Sequence, residues 1–151
     1  MIEIIPVKSE AQVGAIRSLF REYAGSLETD LCFQSFEQEL AELPENYLGL
    51  YLALEEERPA GCVGLRNLSE RVCELKRLYV RPAYRSQGLG RRLVLAASAE
   101  ARRLGYERMR LDTLPSMKRA LALYRSMGFT AIRPYYLNPV PGATFWELSL
   151  R

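Results

Sequence analysis

The chain has 151 residues, 48% of them hydrophobic and 26% charged, a composition typical of a soluble globular protein with one substantial core. Its formal net charge of +3 suits an anionic small ligand and falls short of the strongly basic surface of a nucleic-acid-binding protein. No apolar run is long enough to span a bilayer, and histidine is absent, which excludes Ser-His-Asp and Cys-His catalysis and the usual histidine metal sites.

The three cysteines are an odd number without a CxxC pair, which indicates reduced thiols at Cys32, Cys62 and Cys73. The first residues lack the basic and apolar segments of a signal peptide. We therefore expect one domain over residues 1–151, located in the cytoplasm, that binds neither nucleic acid nor membrane and holds no metal.

Hydrophobic periodicity predicts alternating strands and helices, bounded by glycine, proline and charged turns. In chain order the predicted elements are a strand at 2–7, helices at 10–24 and 33–43, strands at 48–54, 60–68 and 72–80, a helix at 89–104, a strand at 108–114, a helix at 116–127, and strands at 130–132 and 143–150.

The strand at 72–80, the helix at 89–104 and the strand at 108–114 form one crossover unit, so these two strands are expected to be parallel. The earlier strands are joined by short turns and are expected to be antiparallel. The sequence thus predicts an α/β fold with a mixed, mostly antiparallel sheet and helices on both faces. The buried stripe of the helix at 89–104 is expected to comprise Leu89, Leu93, Ala97, Ala101 and Leu104.

The segment RSQGLGRR, residues 85–92, begins that helix and contains no acidic residue. A helix N-terminus carries unpaired N–H groups and partial positive charge, so arginines there indicate that an anion from outside the chain, phosphate first, satisfies the amides. Gly88 and Gly90 would let that anion approach the backbone. A glycine turn with solvated arginines is the alternative. No Gly-Lys-Ser/Thr follows and GxGxxG is absent, which excludes a Walker loop and a dinucleotide fingerprint.

In its context this segment resembles the acetyl-CoA-binding motif of the GNAT superfamily of N-acetyltransferases, Arg/Gln-x-x-Gly-x-Gly/Ala. Two further segments match in the family's order, the strand ELKRLYV at 74–80 and the late helix ALYRSMGF at 122–129. The specific resemblance covers residues 72–129. It implies a GNAT fold, whose two parallel strands splay apart to admit the pantetheine arm, and acetyl-CoA as cosubstrate without a metal.

The resemblance also implies a donor site. The strand end would pair with the pantetheine arm, the amides of residues 87–91 would hold the pyrophosphate with the side chains of Arg85 and Arg91, and the loop at 113–117 would line the other side. The implied cofactor-binding residues are Leu78, Tyr79, Val80, Arg85, Ser86, Gln87, Gly88, Leu89, Gly90 and Arg91.

Acetyl transfer needs a neutral amine and a proton for the leaving thiolate. The resemblance implies Glu74, six residues before Val80, as the base, acting directly or through a water. An ion pair of Glu74 with Lys76, Arg77 or a neighbouring strand is the equally weighted alternative. In many family members the proton of the amine instead leaves through a chain of water molecules.

Tyr124 matches the family's general acid, the alternative being a tyrosine packed on the sheet. A strand irregularity typical of the family would allow a backbone N–H near Leu78 or Tyr79 to polarise the thioester carbonyl. Cys73 is expected to be a buried structural thiol rather than a carrier of the acetyl group.

The resemblance implies an acceptor pocket from residues 25–36 and 134–144, whose carboxylates and aromatic rings suit an ammonium group. The side chains concerned are Glu28, Asp30, Phe33, Tyr135, Tyr136 and Asn138. A solvated loop and a packed aromatic corner are the alternative for these two segments. We expect an N-acetyltransferase, monomer or homodimer, that transfers acetyl from acetyl-CoA to a primary amine of a small molecule or peptide by direct attack in a ternary complex. The alternatives are a non-catalytic acyl-CoA-binding or sensor module on the same fold, and a nucleotide-binding domain that prefers ATP to CoA.

Overall fold

The computed structural model describes residues 1–27 and 35–151. The regular elements are β1 (Ile2–Pro6), α1 (Glu10–Ser26), α2 (Phe36–Ala41), β2 (Gly49–Glu55), β3 (Arg58–Ser69), β4 (Val72–Val80), α3 (Leu89–Arg103), β5 (Arg108–Thr113), α4 (Lys118–Ser126), β6 (Thr130–Ile132) and β7 (Thr144–Ser149). A short 3-10 helix (Pro82–Tyr84), which the sequence pattern did not predict, connects β4 to the loop before α3.

The seven strands form one sheet in the order β1-β2-β3-β4-β5-β7-β6. Every neighbouring pair is antiparallel except β4 and β5. These two strands pair only from Val72 opposite Arg108 to Glu74 opposite Arg110, and beyond that point they separate. We call this opening the fork. The predicted fold class, with its mixed sheet and parallel pair, is confirmed.

The helices bury their apolar stripes on opposite faces of the sheet. On one face α1 and α2 contribute Ile16, Leu19, Phe20 and Leu40 to a buried cluster. On the other face α3 and α4 contribute a second cluster that includes Leu93. In the described part of the chain, no helix has the length and apolar character needed to cross a membrane.

The structure corrects several predicted boundaries. Helix α1 continues through Gly25 to Ser26, and α4 begins at Lys118 rather than at 116. Leu104 is 41% exposed, because α3 ends at Arg103 and Leu104 already follows the last turn. The predicted start of the second helix, at residue 33, lies outside the described residues.

Candidate functional site

A cavity of about 740 Å³ lies on the β4 side of the fork, between the end of α1, the end of β4, the start of α3 and the start of α4. We call it the large cavity. All the predicted cofactor-binding residues except Gln87 and Arg91 line it, namely Leu78, Tyr79, Val80, Arg85, Ser86, Gly88, Leu89 and Gly90. Residues of the motif at 85–92 and of the end of β4 therefore line the same cavity.

The two glycines of the motif have different physical roles. Gly88 caps α3 in the left-handed conformation, with φ of +77°, and a Cβ built on it would meet nothing within 4 Å. Gly88 thus leaves open space beside the first amides of α3, which have no side-chain cap and no acidic residue in their first turn. At Gly90 a Cβ would lie 3.0 Å from Cδ2 of Leu123, so this glycine lets α4 approach α3.

The start of α4 also borders the large cavity, through residues 116–120. Like α3, it has no side-chain cap and no acidic residue in its first turn, which carries Lys118 and Arg119 instead. Two helix N-termini of partial positive charge therefore face one cavity, beside cationic side chains. This arrangement fits a ligand with several phosphate groups.

The arginines of the motif take up different positions. Arg85 donates from Nε to the carbonyl oxygen of Val80 at 2.9 Å, which holds the loop against the strand end while its side chain stays at the cavity. Arg91 donates from Nη2 to Oγ of Ser126 at 2.7 Å, and Arg92 donates to the carbonyl oxygen of Ile2 at 2.8 Å. Of the three, only Arg85 lines the cavity wall.

The strand irregularity that the resemblance implied lies in β4. Cys62 pairs with Tyr79 and Gly64 pairs with Lys76, so two residues of β4, Arg77 and Leu78, stand opposite one residue of β3. Arg77 has φ of +60°. This is a β-bulge with its first residue in the left-handed region, a position that favours glycine. Leu78, the second residue of the bulge, lines the large cavity.

Glu74 lies where the fork opens, and its side chain is almost fully buried, with 1% exposed. Both of its carboxylate oxygens have protein partners. Arg66 on β3 donates from Nε to Oε1 at 2.8 Å, and the Tyr135 hydroxyl donates to Oε2 at 2.6 Å. The ion-pair alternative expected for Glu74 is therefore present, with Arg66 of the neighbouring strand as a partner.

Tyr124 lies in the wall of a second, small cavity of about 40 Å³, which shares residues of its lining with the large cavity at the fork. Burial raises the pKa of its phenol, and the nearby Tyr23 and Asp112 raise it further. Its ring also packs against Phe129, with centroids 5.3 Å apart. Tyr124 is thus a tyrosine packed on the sheet that stays protonated at neutral pH and reaches a cavity.

Asp112 on β5 is a carboxylate that the sequence reasoning missed. It lines the small cavity together with Lys76 and Tyr124. Its Oδ2 accepts hydrogen bonds from the Tyr136 hydroxyl and, at 3.0 Å, from Nδ2 of Asn138. Within residues 1–27 and 35–151, no hydrogen bond is made to its Oδ1. The signal in the sequence is that Asp112 is the one acidic residue of β5, two residues beyond the point where the fork opens.

The loop between β6 and β7 is hydrogen-bonded to both strands of the fork, β4 and β5. Tyr135 bonds Glu74 on β4, and Tyr136 bonds Asp112 on β5. Both rings pack edge-on against Phe145, with centroids 5.1 and 5.3 Å away. The aromatic pair expected near the acceptor therefore meets both carboxylates of the fork. The other predicted acceptor residues, Glu28, Asp30 and Phe33, lie outside the described residues.

The described cysteines are buried. Cys73 donates from Sγ to the carbonyl oxygen of Arg108, and burial raises the pKa of its thiol to about 12. Cys62 donates to the carbonyl oxygen of Arg77 within the bulge, and burial raises its pKa as well. Neither thiol has the thiolate character that a nucleophile needs. Cys32 lies outside the described residues.

Comparison with known proteins adds a family match. Residues 13–129 match the model described as acetyltransferase (GNAT) family. An uncharacterized N-acetyltransferase of Schizosaccharomyces pombe is 36% identical over 155 residues, covering 99% of this chain and 95% of the relative. A GNAT-family acetyltransferase from Staphylococcus aureus has a TM-score of 0.84 at 20% identity over the full length of both chains. The PaiA N-acetyltransferase of Thermoplasma acidophilum, solved with coenzyme A, has a TM-score of 0.77 at 19% identity over 99% of each chain.

Proposed function

Because the chain belongs to the GNAT acetyltransferase family, we propose that it transfers an acetyl group from acetyl-CoA to a primary amine of a small molecule or peptide. One observation carries the donor part of this proposal. The large cavity joins two helix N-termini without acidic residues, at Gly88 and Met117, to the fork between β4 and β5. Diphosphate at one end and an extended thioester arm along the other match that shape and charge.

The residues that would hold acetyl-CoA follow from the cavity wall. The first amides of α3 and the Arg85 side chain would bind the pyrophosphate, and Lys118 would lie beside the same charges. Leu78 and Val80 would pair with the pantetheine arm. The Tyr124 hydroxyl would donate a proton to the departing thiolate, a role that requires a phenol protonated at neutral pH.

Two carboxylates, Glu74 and Asp112, are candidates for the base that accepts a proton from the amine. The sequence predicts Glu74, and this remains a prediction; its oxygens hold Arg66 and Tyr135, so accepting a proton would disrupt one of those bonds. Asp112 shares the small cavity with Tyr124 and keeps one oxygen without a hydrogen bond in the described part of the chain. The contacts favour Asp112 as the base, with Glu74 holding the fork.

Ligand binding is tested by thermal unfolding with acetyl-CoA, CoA or ATP. Acetyl-CoA at about 100 times its Kd is expected to stabilise the protein by about 2.7 kcal/mol, with less effect from ATP. Gly88→Ala and Gly105→Ala form a matched pair, since both glycines have positive φ and open space around them. Both variants carry a strain of about 1–2 kcal/mol. Only Gly88→Ala should weaken CoA binding. No stabilisation at millimolar acetyl-CoA contradicts the proposal.

Catalysis is tested by thiol release from acetyl-CoA with a panel of acceptors comprising an alkylamine, an arylalkylamine, a polyamine, a peptide N-terminus and a lysine-containing peptide. Release that depends on one of these amines supports the transferase. A protein that binds acetyl-CoA tightly but releases thiol with none of them would be the alternative, a non-catalytic acyl-CoA-binding module.

A further inference from the structure

The bulge of β4 has an unfavourable backbone conformation at Arg77, and the side chain of this residue forms a buried ion pair. Arg77 occupies the left-handed position of the bulge, where glycine is the residue expected. Its side chain meets Glu39 of α2. Nε of Arg77 donates to Oε2 of Glu39 at 3.2 Å, and Nη2 donates to Oε1 at 2.7 Å.

Side chains of several neighbouring elements enclose the ion pair of Arg77 and Glu39. The side chains of Arg77 and Glu39 are only 3% and 5% exposed. The Tyr47 hydroxyl donates to Oε2 of Glu39 at 2.6 Å. The guanidinium carbon lies 5.9 Å from the ring centroid of Tyr23 on α1 and 5.2 Å from that of Phe36 on α2. Side chains of α1 and α2 thus contact Arg77 in the bulge, and Tyr47 after α2 contacts its partner Glu39.

A contribution to the stability of the fold does not by itself explain the buried ion pair of Arg77 and Glu39. A buried ion pair adds little stability over well-packed apolar side chains of similar volume, because both charges lose their hydration. A bulge re-aims the residues that follow it. Here the next residue is Leu78, which lines both cavities at the fork, and Arg77 itself lines the small one.

We infer that Arg77 and Glu39 are positioning residues of the transfer site: their buried pair holds the bulge, and with it the backbone of Leu78 against which the thioester would lie. This inference rests on the proposed function. It also links α2, which follows the expected acceptor segment, to the strand that contacts the donor. A shift of the thioester by a fraction of an ångström slows transfer without weakening the binding of the distant phosphates.

The test compares Glu39→Gln with Glu37→Gln on the same helix. Glu37 pairs with Arg21 at 3.1 Å but is 74% exposed and touches no part of β4 in the described contacts. With acetyl-CoA and the best amine of the panel, Glu39→Gln is expected to lower kcat roughly 10- to 100-fold, with the Kd for CoA within about twofold of wild type. Glu37→Gln should match wild type in both.

A double variant, Glu39→Leu with Arg77→Met, separates positioning from folding. Removing both charges should bring the unfolding temperature back toward that of the wild type. The inference predicts that kcat stays low in this variant, and that Arg77→Lys with Glu39 intact recovers part of it. Wild-type kcat in the double variant, or in Glu39→Gln, overturns the inference. A wild-type protein that releases no thiol with any amine would instead overturn the proposed function.

Discussion

Glu74→Gln is the substitution that best separates a structural from a catalytic carboxylate at the fork. In the wild type, Arg66 and Tyr135 donate to the two oxygens of a charged group that is 1% exposed. Glutamine offers one oxygen and one NH2 group, so one of these donors loses its acceptor. Both bonds also lose the charge that makes them stronger than neutral ones.

The expected magnitude follows from these two contacts. Hydrogen bonds to charged groups contribute about 1.5–3 kcal/mol and neutral ones about 0.5–1.5 kcal/mol, so one lost bond and one weakened bond cost roughly 2.5–4.5 kcal/mol. Arg66 is 37% exposed and regains some hydration, which favours the lower figure, about 2.5 kcal/mol. For a chain of this size, that corresponds to a fall in Tm of about 5–10 °C.

The assay pairs thermal and urea unfolding with kcat at 25 °C, where the variant remains folded. We expect Glu74→Gln to lower Tm as stated, with an unchanged urea m-value, and to reduce kcat less than about fivefold. Asp112→Asn, in contrast, should lower kcat by roughly 10²–10⁴-fold, the usual contribution of a general base. Its deficit should shrink as pH rises, because more of the amine is then neutral without help.

The opposite pattern refutes this reasoning. If Glu74→Gln keeps its Tm but loses kcat 100-fold, with a deficit that shrinks as pH rises, Glu74 is the base that the sequence predicts. If neither variant loses kcat at any pH, no carboxylate of the fork is the base and the proton leaves along waters.

Three further predictions concern single residues. Tyr124→Phe should slow thiol release while leaving the Kd for CoA nearly unchanged; unchanged turnover removes Tyr124 as the acid. Burial raises the pKa of Glu39, but its ion pair outweighs burial and holds the pKa below 4.5, so its stabilisation is present above pH 4.5 and lost as pH falls further. The Tm of wild type should therefore fall more steeply between pH 5 and 3 than that of Glu39→Gln, and parallel curves contradict this. Gly61→Ala, whose Cβ would lie 2.6 Å from the carbonyl oxygen of Tyr79, should destabilise by about 1–3 kcal/mol, whereas Gly14→Ala in open helix should stabilise by about 0.5–1 kcal/mol; equal unfolding temperatures contradict the clash.

The fold and the donor wall could be predicted because their signals are local. Apolar periodicity within each element, and the short turns that join β2 to β3 and β3 to β4, account for those two antiparallel pairs and for the one crossover between β4 and β5. The motif at 85–92 lies within one loop and one helix start. The family resemblance implied the bulge of β4, but not that an arginine would occupy its left-handed position.

Most partners of the charged side chains around the fork could not be predicted because they are far away in sequence. Glu74 meets Tyr135 across 61 positions, and Arg77 meets Glu39 across 38. Arg66 lies directly opposite Glu74 on the neighbouring strand, but no periodicity records which of several nearby cations an acid will contact. Asp112 could not be distinguished from a surface acid until its cavity was known.

The two halves of the proposed site differ in the same way: the donor half is formed mostly by residues close in sequence, and the acceptor half by distant ones. Most of the donor wall is formed within one continuous stretch, from β4 through α3 to α4, and the end of α1 adds Tyr23, Ser26 and Leu27. The proposed acceptor side would include the loop between β6 and β7, which Tyr135 and Tyr136 join to the fork. Substitutions in that loop would reshape the acceptor pocket while the donor wall stays intact. The identity of the amine should therefore respond to changes at Tyr135, Tyr136 and Asn138, and the affinity for CoA should not.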